Sequence, residues 1–158
     1  MVFVVKRCEW ATDNLLKEYH DTEWGVPLHS DRKLFEFLIL DGAQAGLSWS
    51  VILKKRDAYR KAFDGFDPKK VASYTRTDVR RLLRNNGIVR NQRKIESAIN
   101  NAKCFIKVKA EFGSFDKYIW EFVEHKTIIN KYQRWKDIPP YSDESNDMSM
   151  DLKKRGFS

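Results

Sequence analysis

A chain of 158 residues, 42% of them hydrophobic, has the material for one buried core. Two cysteines, Cys8 and Cys104, exclude a disulfide scaffold; no apolar run reaches a membrane span and Met1 to Lys6 is too short for a secretory leader, so a cytoplasmic protein without a membrane partner is expected. A net charge of +8 favours a polyanionic partner, nucleic acid before an anionic membrane surface.

Val2-Phe3-Val4-Val5 is the only β-like run, and it reads equally well as a tail. Asp13 is placed to cap a short helix carrying Leu15, Leu16 and Tyr19. Ser30 or Asp31 opens a second helix whose Leu34, Phe35 and Phe37 to Leu40 are apolar on most faces, which marks it as central. That helix ends at Asp41, before Gly42 and Gly46. The third, Leu47 to Phe63, sets Val51, Ile52, Tyr59 and Phe63 against Lys54, Lys55, Arg56, Arg60 and Lys61. Asp67-Pro68 is a capping side chain followed by a first-turn proline. Thr77 opens the segment with Val79, Leu82 and Leu83. Ile95, Ala98, Ile99, Ala102 and Phe105-Ile106 then repeat on one helical face. After Gly113-Ser114 the pattern returns in Phe115, Tyr118, Ile119, Phe122 and Val123. Pro139-Pro140 and the polar run YSDESND are expected to form a loop, with Ser145 or Asn146 capping a last short helix that ends at Gly156. The sum is an all-α, compact multi-helix fold, one domain over residues 1–158, and a monomer by default.

Four constellations have chemical potential. Arg80, Arg81, Arg84, Arg90, Arg93 and Lys94 surround the turn Asn85-Asn86-Gly87, where a positive φ at Gly87 would let two helices meet; such a turn suits a phosphate, although a solvated helix face is the plain alternative. Trp10, Tyr19, Trp24 and Trp49 fall within the first fifty residues, either as core packing or as a cage for a flat or cationic ligand; spacing does not decide. Cys8 and His20 are soft metal ligands, but no compact pair is present, and neither Cys104 nor His29 nor His125 is tied to them by spacing. Asp41 interrupts an apolar run, where a carboxylate is costly unless something pairs with it; a solvent-facing helix end is the plain alternative.

The stretches RCEW (7–10), EYHDTEWGVP (18–27), LFEFLILDGAQAGLSWSVILKKRDAYRKAF (34–63), FDPKKVA (66–72), GIVRNQRKIESAINNA (87–102) and DLKKRGF (151–157) occur in that order. Together they closely resemble the DNA-3-methyladenine glycosylase I family, a branch of the helix-hairpin-helix DNA glycosylases. The resemblance implies a DNA repair enzyme acting on double-stranded alkylated DNA. It turns out a 3-methyladenine nucleotide and hydrolyses its N-glycosidic bond, releasing free 3-methyladenine without a lyase step. It also implies that Asp41 is the catalytic, base-reading carboxylate, with Trp49 and Tyr19 against the base and Trp10 and Trp24 as walls. Arg84, Arg90, Arg93 and Lys94 are the candidates for the DNA backbone. Cys8 and His20 match two of the four ligands of the family's structural zinc.

Three departures follow from the same match. Asp41 stands where the family usually has Glu, which shortens the arm by one C–C bond, roughly 1.5 Å. The chain stops at KKRGFS, where the family continues into a DNA-gripping hairpin, a closing helix and the other two zinc ligands; a C-terminally truncated fold, weak or absent zinc and an exposed apolar patch are expected. Met150 lies where Lys is common. The alternative to the enzyme is a remnant that binds nucleic acid or base without turnover.

Overall fold

The computed structural model describes residues 7–158, and the β-like run Val2–Val5 lies outside them. Among the described residues eight α-helices follow one another: α1 (Asn14–Thr22), α2 (Asp31–Gln44), α3 (Trp49–Ala62), α4 (Pro68–Ala72), α5 (Arg76–Leu83), α6 (Gln92–Phe112), α7 (Phe115–Glu121) and α8 (Asp143–Lys154). Short 3-10 turns sit at Asp64–Phe66 and Trp135–Asp137. No strand occurs among the described residues, and none of their helices is long and apolar enough to cross a membrane.

α6 is the axis. Its Ile95, Ala98, Ile99, Ala102, Phe105 and Val108 are buried on one stripe, and α2, α4, α5 and α7 pack around it. The central α2 gives Phe35, Ile39, Leu40 and Ala43 to the same core, and Phe35 meets Phe105 edge-on with ring centroids 5.0 Å apart. A single apolar cluster runs from these residues to Phe157. The last residues are seated by the buried Asn101. Its Nδ2 donates to the Ser158 carbonyl and its Oδ1 accepts from the Ser158 N–H, both at 2.8 Å. The buried amide is thereby satisfied in both directions.

Caps explain most helix starts. Asp13 accepts from the Leu16 N–H at 2.8 Å, and Asp67 accepts from the Lys69 and Lys70 N–H groups. Three boundaries differ from expectation because a better cap lies nearby. α3 begins at Trp49, since Gly46 at φ +78° holds the preceding turn and Ser48 takes the cap. α5 begins at Arg76, since Thr75 and Asp78 form a capping box. α8 begins at Asp143 under a Ser142–Ser145 capping box, so most of the run read as loop belongs to its first turns.

Two further expectations are corrected. Asp41 does not end α2; the helix continues to Gln44 through Gly42. Gly87 does not use a positive φ, for none is found there. What it lacks is room: a Cβ at Gly87 would lie 2.7 Å from the Ala58 Cβ of α3. The turn is tight because it presses on α3, where the Tyr59 hydroxyl accepts from the Val89 N–H at 3.1 Å and Lys55 Nζ reaches the Asn86 and Gly87 carbonyls.

Candidate functional site

The end of α2, the first turn of α3, α1 and the segment after it enclose an open cleft of about 510 Å³. Trp10, Tyr19, Trp24 and Trp49 line it, together with Leu16, Asp41, Gln44, Ser48 and Ser50. All five base-site candidates thus meet in one place, although Tyr19, Asp41 and Trp49 come from α1, α2 and α3, and Trp10 and Trp24 from the segments before and after α1. The rings brace one another at angles: Trp10 to Tyr19 at 6.2 Å and 51°, Trp10 to Trp24 at 5.4 Å and 77°, Tyr19 to Trp49 at 5.4 Å and 57°. These four rings are tilted against one another rather than stacked together, while Trp24 stacks on His20 at 5.5 Å and Trp49 on Phe37 at 6.4 Å. The Trp49 indole N–H is buried without a hydrogen-bond acceptor, and the Tyr19 hydroxyl lies beside it outside hydrogen-bonding geometry.

Asp41 and Gln44 stand three residues apart on α2, so both point from one helix face into the cleft. The Asp41 carboxyl makes no ion pair and no hydrogen bond among the described residues. Burial pushes its pKa up to about 6. Its surface is nevertheless exposed, because the cleft is open on that side. Protein walls remove much of its water without closing it off, so the group still titrates. Burial, then the charges of Asp41 and Glu23, push the Tyr19 hydroxyl above the usual tyrosine range, and it stays a donor at neutral pH.

The aromatic wall is anchored by a cluster the sequence reading missed. Arg56 donates to both Glu23 oxygens at 2.6 and 2.8 Å and through Nε to Glu36 at 2.6 Å, while Arg60 also reaches Glu36. The Arg56 guanidinium lies over the Phe37 ring, 5.3 Å from the centroid. Glu36 is only 4% exposed, and such a carboxylate needs these partners. Glu23 immediately precedes Trp24, so the bidentate pair fixes the chain where that wall begins. A signal was available: Ile52, Arg56, Tyr59 and Phe63 share one helical face, and a charge among buried residues announces a buried counter-charge.

Cys8 and His20 are also brought together. The Cys8 N–H donates to His20 Nε2 at 3.2 Å, which places the imidazole proton on Nδ1, facing Asp21 Oδ1 at 3.0 Å. Arg7 holds the same Asp21. No group of three potential metal ligands exists among the described residues, so this thiol and imidazole do not make up a closed zinc site. Arg84, Arg90 and Arg93 are exposed around the 85–91 turn. Lys94, expected with them, is turned inward, and its Nζ donates to the Ala43 and Ala45 carbonyls at 2.7 and 2.6 Å. Unlike the three arginines, its ammonium is engaged at the end of α2 in this structure.

Among the described residues, an all-helical frame holding an aromatic cleft with one unpaired carboxylate is suited to receive a flat ring that is electron-poor or rich in donors. The sequence matches the methyladenine glycosylase family model over residues 10–158. It is 42% identical to the DNA-3-methyladenine glycosylase of Haemophilus influenzae over 96% of this chain and 82% of that protein. It is likewise 42% identical to DNA-3-methyladenine glycosylase 1 of Escherichia coli K12, over 97% of this chain and 82% of that one. Among solved structures, a tyrosine-to-phenylalanine variant of 3-methyladenine DNA glycosylase I in complex with 3-methyladenine superposes with a TM-score of 0.93, at 37% identity, covering 98% of this chain and 83% of the other. The chain belongs to the methyladenine glycosylase family.

Proposed function

We infer that this chain is a DNA-3-methyladenine glycosylase, which hydrolyses the N-glycosidic bond of 3-methyladenine in alkylated double-stranded DNA. The observation that carries the reading is Asp41, a carboxylate in a cleft of aromatic rings with no hydrogen bond or ion pair among the described residues, in a chain 42% identical to two enzymes of that name. A base inside the duplex cannot enter such a cleft, so the nucleotide must first be extruded. Alkylation at N3 gives the adenine ring a positive charge. That charge favours stacking between Trp49 and the neighbouring rings and attraction to Asp41, which accepts hydrogen bonds from the adenine edge.

The same charge makes the base a good leaving group. When the C1′–N9 bond breaks, its electron pair neutralises the ring; water supplies the oxygen to C1′ and releases its proton to solvent. Asp41 therefore needs no proton to transfer, and its contribution is to bind and orient the cationic base. Hydrolysis alone is proposed, since a lyase step needs an amine nucleophile and no lysine lines the cleft among the described residues. Arg84, Arg90 and Arg93 are proposed to meet phosphates beside the cleft. The test is release of free 3-methyladenine from methylated duplex DNA. Salt-dependent DNA binding without release, by a folded sample, would instead support the remnant.

A further inference from the structure

Lys94 is the basic residue of the 84–94 region whose charge is used inside the molecule. The C-terminal turn of α2 contains no basic residue of its own. A helix end there presents carbonyls without intrahelical partners and a partial negative charge. Lys94 reaches across from α6 and donates to Ala43 O at 2.7 Å and Ala45 O at 2.6 Å. It thus supplies both donors and counter-charge.

The position of this clamp matters. Asp41 and Gln44 lie in the turn that it closes. Directly after Ala45 the chain bends through Gly46, with the Leu47 N–H on the Gln44 carbonyl at 2.6 Å, then reaches the Ser48 cap and Trp49. One ammonium therefore holds the link between the carboxylate that faces the base and the ring that stacks on it. Lys94 makes no direct contact with Asp41, whose raised pKa is caused by burial. The coupling runs through the backbone.

We propose that Lys94 is a positioning residue of the base pocket, setting Asp41 against Trp49 by gripping the Ala43–Ala45 end of α2. It touches neither base nor phosphate. The inference rests on reading the cleft as the 3-methyladenine pocket.

The test is calorimetric titration of free 3-methyladenine into the full chain and into Lys94→Met, alongside thermal melts and the salt dependence of DNA binding. The free base has no phosphate, so a backbone-contact role would leave its affinity intact. Lys94→Met is expected to bind the base about tenfold more weakly at a temperature where it is folded. Lys94→Arg, which keeps donors and charge, is expected to recover most of that loss, and the salt slope should match the parent's. Parental base affinity in Lys94→Met overturns the proposal. If the salt slope then falls by about one, Lys94 is a phosphate contact; if only the melting temperature falls, it is a stabilising residue alone. Should Lys94→Met not fold, Lys94→Gln, with one donor left, is judged by the same outcomes. A parent chain that binds no free base removes the pocket reading itself, and that failure is visible before any variant is compared.

Discussion

Asp41→Asn isolates the carboxylate, because the amide keeps the shape and removes the charge. With a pKa near 6, the Asp41 carboxyl is almost fully ionised at pH 7.5, about half ionised at pH 6 and roughly one-tenth ionised at pH 5. An ordinary aspartate would still be more than about nine-tenths ionised at pH 5. The N3-methylated nucleotide has a fixed charge over this range, so kcat/KM for 3-methyladenine release should follow Asp41 down, to about half at pH 6 and about a tenth at pH 5. At pH 7.5, Asp41→Asn should lose roughly 10- to 100-fold in kcat/KM, the worth of a charge-assisted hydrogen bond, and its low-pH fall should flatten. Stability should move the other way. The folded pKa is raised above the unfolded value, so the fold binds more protons than the unfolded chain between about pH 4 and 6, and the ionised carboxylate opposes folding above that window. Asp41→Asn is therefore expected to melt higher than the parent at pH 7.5 and to converge with it near pH 4. A parent profile flat to pH 5, or a variant with parental kcat/KM, would refute the reasoning.

Trp49→Ala should weaken binding of free 3-methyladenine by about 1–3 kcal/mol, read by calorimetry, because one stacking face is lost. Gly87→Ala should cost about 1–3 kcal/mol in urea unfolding, since the new methyl meets Ala58 while the backbone φ is tolerant; an unchanged midpoint would mean that the turn is not pressed onto α3. Arg90→Ala and Arg93→Ala should each reduce the salt slope of DNA binding by about one and leave free-base affinity unchanged. Metal analysis of the 158-residue chain after dialysis against a chelator should find well under one zinc per chain, and Cys8→Ser should not alter that figure.

The helices were legible where an apolar face repeats, as in Ile95 to Val108, and where one capping side chain has no rival, as at Asp13 and Asp67. Starts slipped where two candidates compete within a turn: Thr75 against Thr77, and Ser142 against Ser145, are settled by which carboxylate or hydroxyl completes a box. Gly87 was recognised as special for the wrong reason. Sequence shows a glycine in a turn; it does not show that Ala58, on another helix, occupies the space of its side chain. The cleft was legible only through resemblance. Tyr19, Asp41 and Trp49 lie on three helices, and no spacing rule assembles them. The direction of a long side chain is the least readable property of all. Lys94 sits in a strip of arginines and yet folds back onto α2, because an uncapped helix end lies within its reach.

The central claim is that a folded chain of these residues takes 3-methyladenine out of DNA through Asp41 and its aromatic cleft. The direct measurement is chromatographic assay of free 3-methyladenine released from methylated duplex DNA, with Asp41→Ala in parallel under identical conditions. Release by the parent should stand well above the spontaneous background, with a severe loss in the variant. No release above background from a cooperatively melting parent, or equal release by both proteins, would contradict it.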